Sequence, residues 1–272
     1  MRAPAVSGRF YAAKRDELQR QVDDLLSPVR PFAHPAGARA AIVPHAGFMY
    51  SGVTAAHVFA RINLPRLVII VAPNHTGVCD APGGASLWER GSFTTPLGSV
   101  PVADGLADAV QRASPLVAPD HAAHRGEHAV EVELPFLQTL RPDVAIVPLV
   151  LAWDTWTEAQ ALGQALAAVV REWPEPVLLL ASSDLNHYES AAVSEIKDAQ
   201  ALEAIKQLDG EELLRRCRSE RISMCGRGPA ATVCAAARAL GSQRGEVVDY
   251  RHSGWVTGDE AQVVGYGGVV IL

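Results

Sequence analysis

The sequence is poor in cysteine and lacks any long apolar run. Four cysteines in 272 residues are too few for a disulfide scaffold. No stretch of about 18 apolar residues is present, which argues against a transmembrane helix. The first residues include a proline, a glycine and several charges where a signal peptide would have an apolar segment. We therefore expect a soluble, cytoplasmic protein with reduced thiols that does not bind membranes.

An excess of basic residues is also missing. The chain has 24 lysines and arginines against 30 aspartates and glutamates, which gives a formal net charge of −6. This balance disfavours a nucleic-acid-binding protein and a polybasic membrane anchor. Hydrophobic residues make up 49% of the chain, which is enough for a large core and excludes intrinsic disorder.

Several common signatures of nucleotide binding and catalysis are absent. The sequence has no GxxxxGK[ST] phosphate loop, no CxxC pair, no GxSxG nucleophile elbow and no GxGxxG after a strand. The segment HRGEHAVEVE lacks the second histidine of an HExxH zinc signature. The chain therefore does not match P-loop proteins, dinucleotide-binding proteins, serine hydrolases or zincins.

Hydrophobic patterning predicts an alternation of helices and buried strands. The spacing predicts helices over 14–26, 54–62, 103–112, 127–140, 157–171, 189–208, 211–217 and 229–240. It predicts strands over 39–43, 67–72, 87–93, 144–151, 177–181, 247–251 and 262–271. This order indicates an α/β fold, a three-layer α/β/α sandwich around a mixed, largely parallel central sheet. No long polar linker divides the chain, so we expect a single domain over residues 1–272.

Polar clusters follow three of the predicted strands. His45 comes after AAIVP, His75 after LVIIVAPN, and Asp184 and His187 after VLLLASS. In open α/β sheets, ligand sites gather beyond the carboxyl ends of the strands. A single histidine at a strand end is more often a structural loop residue, but three in matching positions favour one shared functional pocket.

Two further clusters contain groups that bind metals or react. Cys225 lies just before the helix predicted to begin at Pro229, where backbone N–H groups and the helix dipole favour a thiolate. Glu127 and His128 lie in DHAAHRGEHAVEVELPF, a segment typical of a polar helix start. A second hypothesis also remains open, that of a metal-free enzyme in which Cys225 pairs with a strand-end histidine.

The order of these motifs resembles a known family. PAVSGRFY, IVPHAGFMYSG, VAPNHTG, EHAVEVELPFLQ, SSDLNHY and MCGRGP follow one another from Pro4 to the C-terminal strands. This pattern resembles the Memo family, whose prokaryotic members are often called AmmeMemoRadiSam system protein B. The family is similar to class III extradiol ring-cleavage dioxygenases, which are non-haem Fe(II) enzymes. The resemblance implies the same α/β fold.

The resemblance also implies a set of site residues. The metal ligands would be His45, His75 and Cys225. The catalytic residues would be His187, as acid or base, and Asp184, which would orient His187 or hydrogen-bond a metal-binding imidazole. Glu127 and His128 would line the pocket wall. Fe(II) is the expected metal, with copper or zinc as alternatives because a thiolate is softer than the carboxylate that it replaces.

We therefore expect a metal-dependent oxidoreductase of unidentified substrate. Two alternatives stay open: a non-enzymatic protein that binds a metal or ligand in the same pocket, and the metal-free Cys–His enzyme. The ligand would be a small molecule or a peptide. The family label implies a functional association with a radical-SAM protein and an AMMECR-type protein, which is associational and names no substrate.

Overall fold

The structure is a computed structural model that describes residues 1–30 and 36–272. The strands are β1 (Ala40–Val43), β2 (Leu67–Pro73), β3 (Ala85–Leu87), β4 (Ser92–Thr95), β5 (Gly98–Pro101), β6 (Val117–Pro119), β7 (Ala145–Leu151), β8 (Val177–Ser182), β9 (His187–Glu189), β10 (Gly245–His252) and β11 (Val263–Ile271). The helices are α1 (Arg15–Leu26), α2 (Phe48–Ala60), α3 (Asp104–Ala113), α4 (His121–Arg125), α5 (Leu134–Leu140), α6 (Trp156–Glu172), α7 (Ala191–Lys206), α8 (Gly210–Ser219), α9 (Arg227–Ala239) and α10 (Gly254–Thr257). A 3-10 helix over Glu131–Glu133 leads directly into α5.

The main sheet is mixed. Its order is β10-β11-β1-β8-β2-β7-β3-β6, and β9 pairs with β11 outside this path. The four central strands, β1, β8, β2 and β7, are parallel to one another. The strands toward both sides add antiparallel pairs, β11 with β1 and β3 with β7. The carboxyl ends of β1, β8 and β2 therefore lie side by side at one edge of the sheet.

The central strands form because they are continuous aliphatic runs that are buried on both faces. Every residue of β1, β2, β7 and β8 is buried, as is typical of parallel strands covered by helices. Adjacent glycines of β11 show the two covering layers directly. A Cβ at Gly267 would meet Leu202 of α7, and a Cβ at Gly268 would meet Val58 of α2. Because successive strand residues face opposite sides, the predicted three-layer sandwich is confirmed.

Two predicted elements have different bounds. The strand predicted over 87–93 is wrong, because β3 ends where that segment begins and β4 belongs to a separate hairpin with β5. Between them, the Trp88 indole N–H donates to the Arg90 carbonyl at 2.7 Å, which closes a turn. The helix predicted over 54–62 begins six residues earlier, at Phe48.

The helix predicted over 127–140 is wrong in its first half, since α5 begins only at Leu134. The cause is the Glu127 side chain. Its Oε1 accepts the backbone N–H groups of His128 and Ala129 at 2.8 and 2.9 Å. A carboxylate that captures these groups offers the backbone an alternative to helical hydrogen bonds.

Some short elements carried no recognisable sequence pattern. These are β5, β6, β9, α4 and α10, each of three to five residues. In residues 1–30 and 36–272, no helix combines the length and the apolar character needed to cross a bilayer.

Candidate metal centre

Three imidazoles meet beyond the carboxyl edge of the central strands. His45 follows β1, His75 follows β2, and His128 comes from the turn before the 3-10 helix. The ring centroids of His45 and His75 lie 5.1 Å apart, and that of His128 lies 5.4 Å from His45 and 4.6 Å from His75. One ring nitrogen from each lies within 4.8 Å of the other two. Within the described residues, these three form the group of side chains that could hold a metal ion.

His45 is buried and bonded at three positions. Its backbone N–H donates to Asp184 Oδ1 at 2.8 Å. Its Nδ1 lies 2.8 Å from Ser182 Oγ, and its Nε2 lies 3.3 Å from Cys225 Sγ. Burial, reinforced by the charge of His75, lowers the pKa of His45 to about 3. The ring is therefore neutral at ordinary pH, which is the form that binds metals.

His75 is held by a buried carboxylate. Glu127 Oε2 accepts the backbone N–H of His75 at 2.6 Å, and Oε1 lies 2.9 Å from Nδ1 of the ring. Burial opposes ionisation of Glu127, but the hydrogen bond and charge of His75 outweigh it and lower the pKa of the carboxyl to about 2. Burial likewise opposes the charged form of His75, yet Glu127 raises the pKa of the imidazole above 6.5. The Nδ1 contact leaves Nε2 of His75 as the free ring nitrogen.

His128 is the third imidazole. Its ring stacks on His75 and has its edge against Phe10, with centroids 4.9 Å apart in the second pair. Burial and the charge of His45 lower its pKa to about 4. The family resemblance placed His128 at the pocket wall and not among the metal ligands. The turn that brings it to the other rings is made by Glu127, and no spacing in the sequence shows this.

Cys225 lies beside His45, in the loop before α9. Its Sγ accepts the backbone N–H of Asp184 at 3.3 Å. The loop passes very close to β8, since a Cβ at Gly226 would stand 2.3 Å from the Ser182 carbonyl oxygen. Burial and the charge of Asp184 raise the pKa of the thiol, although backbone N–H groups act in the other direction. The expectation that the helix start alone favours a thiolate is therefore wrong for the metal-free site.

Comparison with known proteins identifies the family. A family model described as Memo-like protein matches residues 2–270. The chain belongs to the Memo family. A MEMO1 family protein from Aquifex aeolicus is 38% identical over 273 residues, covering 100% of this chain and 99% of the relative. Another from Aeropyrum pernix is 39% identical over 284 residues, covering 98% of both chains.

The fold has a more distant likeness in a solved structure. The crystal structure of the uncharacterized protein JW3007 from Escherichia coli K12 aligns with a TM-score of 0.54 at 13% identity. The alignment covers 84% of this Memo-family chain and 98% of that chain. At this identity the likeness concerns the fold alone.

The two remaining predicted residues of this Memo-family chain lie around the cluster. Asp184 is buried, and its carboxylate is engaged by the backbone of the His45 loop. Burial raises the pKa of Asp184, although the charge of His187 lowers it. His187 lies in β9, and its backbone N–H donates to Ser223 Oγ at 2.7 Å. Its ring Nδ1 is buried without a hydrogen-bond partner among the described residues.

The other histidines and cysteines that the structure describes lie outside the three-imidazole cluster. His121 pairs with Glu89, and His124 is buried with Nε2 on the Ser86 carbonyl. Cys217 and Cys234 are buried in the apolar core, as expected for small hydrophobic side chains. His34 lies outside the described residues.

Proposed function

We propose that this protein binds one transition-metal ion between its strand-end imidazoles and acts as a metal-dependent oxidoreductase of unidentified substrate. One observation carries the proposal: three imidazole nitrogens lie within 4.8 Å of one another, with a thiol sulfur 3.3 Å from one of them. A lone histidine cluster is a common structural feature, but here two rings have their Nδ1 atoms hydrogen-bonded, which leaves Nε2 of each ring to face the cluster, with that of His45 beside the Cys225 sulfur. That arrangement is typical of metal-binding histidines.

The donor set fits a transition metal. His45, His75 and Cys225 are the proposed ligands, and His128 stands within reach as a further donor. Imidazoles suit iron, copper and zinc, while the thiolate adds preference for softer ions. Fe(II) is the proposed metal on the family resemblance, with copper or zinc as alternatives. When bound, iron or copper would supply redox and Lewis-acid chemistry at positions left open by the protein, and zinc would supply Lewis-acid chemistry alone.

The surrounding residues have separable roles. Glu127 orients His75 through its two carboxylate contacts. Asp184 anchors the His45 loop to the end of β8. His187 is the proposed acid or base, because its Nδ1 has no hydrogen-bond partner in residues 1–30 and 36–272 and its charge acts on both His45 and Asp184.

Metal content of single variants tests the site. Purified wild-type protein should bind about one transition-metal ion per chain, measured by inductively coupled plasma mass spectrometry after reconstitution without oxygen. His45→Ala, His75→Ala and Cys225→Ser should lose most of it. His121→Ala is the matched control, since that ring pairs with Glu89 away from the cluster. Undiminished metal in all three site variants would overturn the proposal.

Oxygen consumption separates an enzyme from a binding protein. Iron-loaded protein under reducing conditions is offered a panel of catechols and other small aromatics. Oxygen uptake coupled to product, and abolished in His187→Ala with metal content unchanged, supports an oxidoreductase. Stoichiometric metal without turnover across the panel supports the binding-protein alternative.

A metal-free Cys–His enzyme is a second candidate, because Cys225 Sγ and His45 Nε2 are within hydrogen-bond distance. The electrostatics oppose it. Burial lowers the pKa of His45 and raises the pKa of Cys225, so the thiolate–imidazolium pair is disfavoured. Activity that survives chelation but not alkylation of Cys225 would favour this candidate over the metal site.

The proposal extends to location and partners. Family resemblance supports a cytoplasmic protein that works with radical-SAM and AMMECR-type proteins on a small molecule or peptide. Co-purification of these partners from the native organism, with the same bait carrying His45→Ala as a comparison, would test the association. Failure to recover either partner would count against it.

A further inference from the structure

A buried serine joins His45 to a second carboxyl group that the proposed function does not use. Ser182 Oγ lies 2.8 Å from His45 Nδ1, 2.8 Å from the Ala129 carbonyl oxygen and 2.8 Å from Glu133 Oε1. Ser182 and Glu133 are both 0% exposed. Ser182 is the last residue of β8 and pairs with Val43 at the end of β1, so it stands directly beside the strand that carries His45.

The hydrogen-bonding capacity of a hydroxyl restricts this arrangement. A serine has one proton to donate and two lone pairs to accept. The Ala129 carbonyl can only accept. If Ser182 donates to Ala129, then both His45 Nδ1 and Glu133 must donate to Ser182, so Glu133 is the neutral acid and Nδ1 carries the proton.

The ionised form of Glu133 leads to the same ring tautomer. Ser182 must then donate to the carboxylate, and His45 Nδ1 must again supply a proton to Ser182. A His45 ring without a proton on Nδ1 would take the serine proton, and the Ala129 carbonyl would then lose its donor even if Glu133 were the neutral acid. Only the first arrangement, with the proton on Nδ1 and Glu133 neutral, satisfies all three contacts of Ser182. Buried polar groups without partners are costly, so this third arrangement is disfavoured.

We infer that Glu133, acting through Ser182, is a positioning residue that holds His45 in the Nδ1–H tautomer with the Nε2 lone pair facing His75, His128 and Cys225. The role of that lone pair as a metal ligand rests on the function proposed above, whereas the tautomer does not. The imidazoles of His75 and His45 are thus oriented by different hydrogen-bond partners. His75 contacts a carboxylate directly, and His45 contacts one through a hydroxyl.

The surroundings of Glu133 support a role beyond packing. Its second oxygen, Oε2, is buried without a hydrogen-bond partner among the described residues. An apolar side chain of similar size would fill the same space without burying a polar group. Burial raises the pKa of this carboxyl well above its usual range, and the neutral acid is the donor that completes all three bonds to Ser182.

The tautomer is measured directly by long-range ¹H–¹⁵N correlation spectra of the imidazoles in metal-free protein labelled at histidine. Wild-type His45 should show a protonated Nδ1 and an unprotonated Nε2. Glu133→Gln should keep this pattern, because its amide N–H can donate to Ser182. Glu133→Met and Ser182→Ala should shift His45 toward a mixture of tautomers. A wild-type spectrum with the proton on Nε2 overturns the inference without any variant.

Metal affinity gives the second measurement, with Co(II) as the probe and competition by a chelator as the assay. Glu133→Met should weaken binding about 10- to 100-fold, as loss of such outer partners does, and Glu133→Gln should stay within about threefold of wild type. Equal affinity in Glu133→Met and wild type would overturn the positioning role. If the wild type shows the expected tautomer but does not bind Co(II), the proposed function is wrong and the tautomer assignment still holds.

Discussion

The hydrogen bond between Glu127 and His75 should stabilise the folded protein in a pH-dependent way. The Glu127 side chain is 1% exposed. It accepts the backbone N–H groups of His75, His128 and Ala129, as well as the His75 ring. The perturbation is Glu127→Gln, which imitates the protonated acid and directs an amide N–H toward one of these donors.

The magnitude follows from the pKa of the carboxyl. Lowering it from 4.5 to about 2 corresponds to about 3 kcal/mol of stability near pH 6. Because the folded-state pKa is depressed, this contribution is complete above pH 4.5 and is lost as the pH falls toward 2. The difference in unfolding free energy between wild type and Glu127→Gln should thus be about 3 kcal/mol at pH 6 and roughly half of that or less near pH 3.

The charge of His75 adds a second pH dependence of the stability, on the alkaline side. Its pKa is raised in the folded state, so its contribution is complete below pH 6.5 and declines as the pH rises through the folded-state value. The advantage of wild type over Glu127→Gln should therefore also shrink on the alkaline side. His75 is charged across the acid range, so the titration between pH 6 and pH 3 reports Glu127.

Urea unfolding at pH 6, 5, 4 and 3, followed by tryptophan fluorescence and circular dichroism, measures the difference. Glu89→Gln is the matched control, because Glu89 also contacts a histidine ring at 2.9 Å but with side chains that are 23% and 41% exposed. That pair should contribute no more than about 1 kcal/mol. A loss in Glu127→Gln that is independent of pH, or as small as the control, would refute the reasoning.

Three further outcomes are expected. Gly226→Ala should destabilise the protein by at least about 2 kcal/mol and displace the adjacent thiol, because its Cβ would stand 2.3 Å from a backbone carbonyl oxygen at the end of β8. The control is Gly37→Ala, whose Cβ would meet nothing within 4 Å. An equal fall in melting temperature in both variants would contradict the expected clash at Gly226. Arg2→Ala should lower the free energy of unfolding by about 3–5 kcal/mol, measured by chemical denaturation, because it leaves Glu131 buried without its cation. The control is Arg112→Ala at an exposed position, which should be nearly neutral. Similar losses of stability in the two variants would count against the ion pair. Fe(II) at about 100 times its Kd should stabilise the wild type by about 2.7 kcal/mol, and a melting temperature that metal does not change would count against the site.

The central fold was predictable because its signals are local. The runs that form β2 and β8 are continuous aliphatic stretches that end at a proline or a serine, which is the pattern of strands covered on both faces. The errors fall where a distant side chain or a turn competes with local propensity. Glu127 halts the helix predicted from its own position, and its carboxylate is itself fixed by His75, which is 52 residues away.

The candidate site was predictable in part. The rule that strand ends gather at one edge of a parallel sheet brought His45 and His75 to the same pocket, and the structure has their rings 5.1 Å apart. His128 follows no strand, so only the folded turn shows that its ring joins them. The roles of these residues as ligands stay predictions.

The sequence by itself determined the α/β architecture, the family and the strand-end residues that face one another, because these depend on patterns within short segments. Tertiary structure alone decided the electrostatic state of the site. Burial makes His45 and His128 neutral imidazoles and raises the pKa of Cys225, since desolvation depends on what packs around a group and not on its neighbours in the chain. The tertiary structure also decided which side chain orients each imidazole. Glu127 reaches His75, and Ser182 reaches His45, only because the fold brings them together at the edge of the sheet.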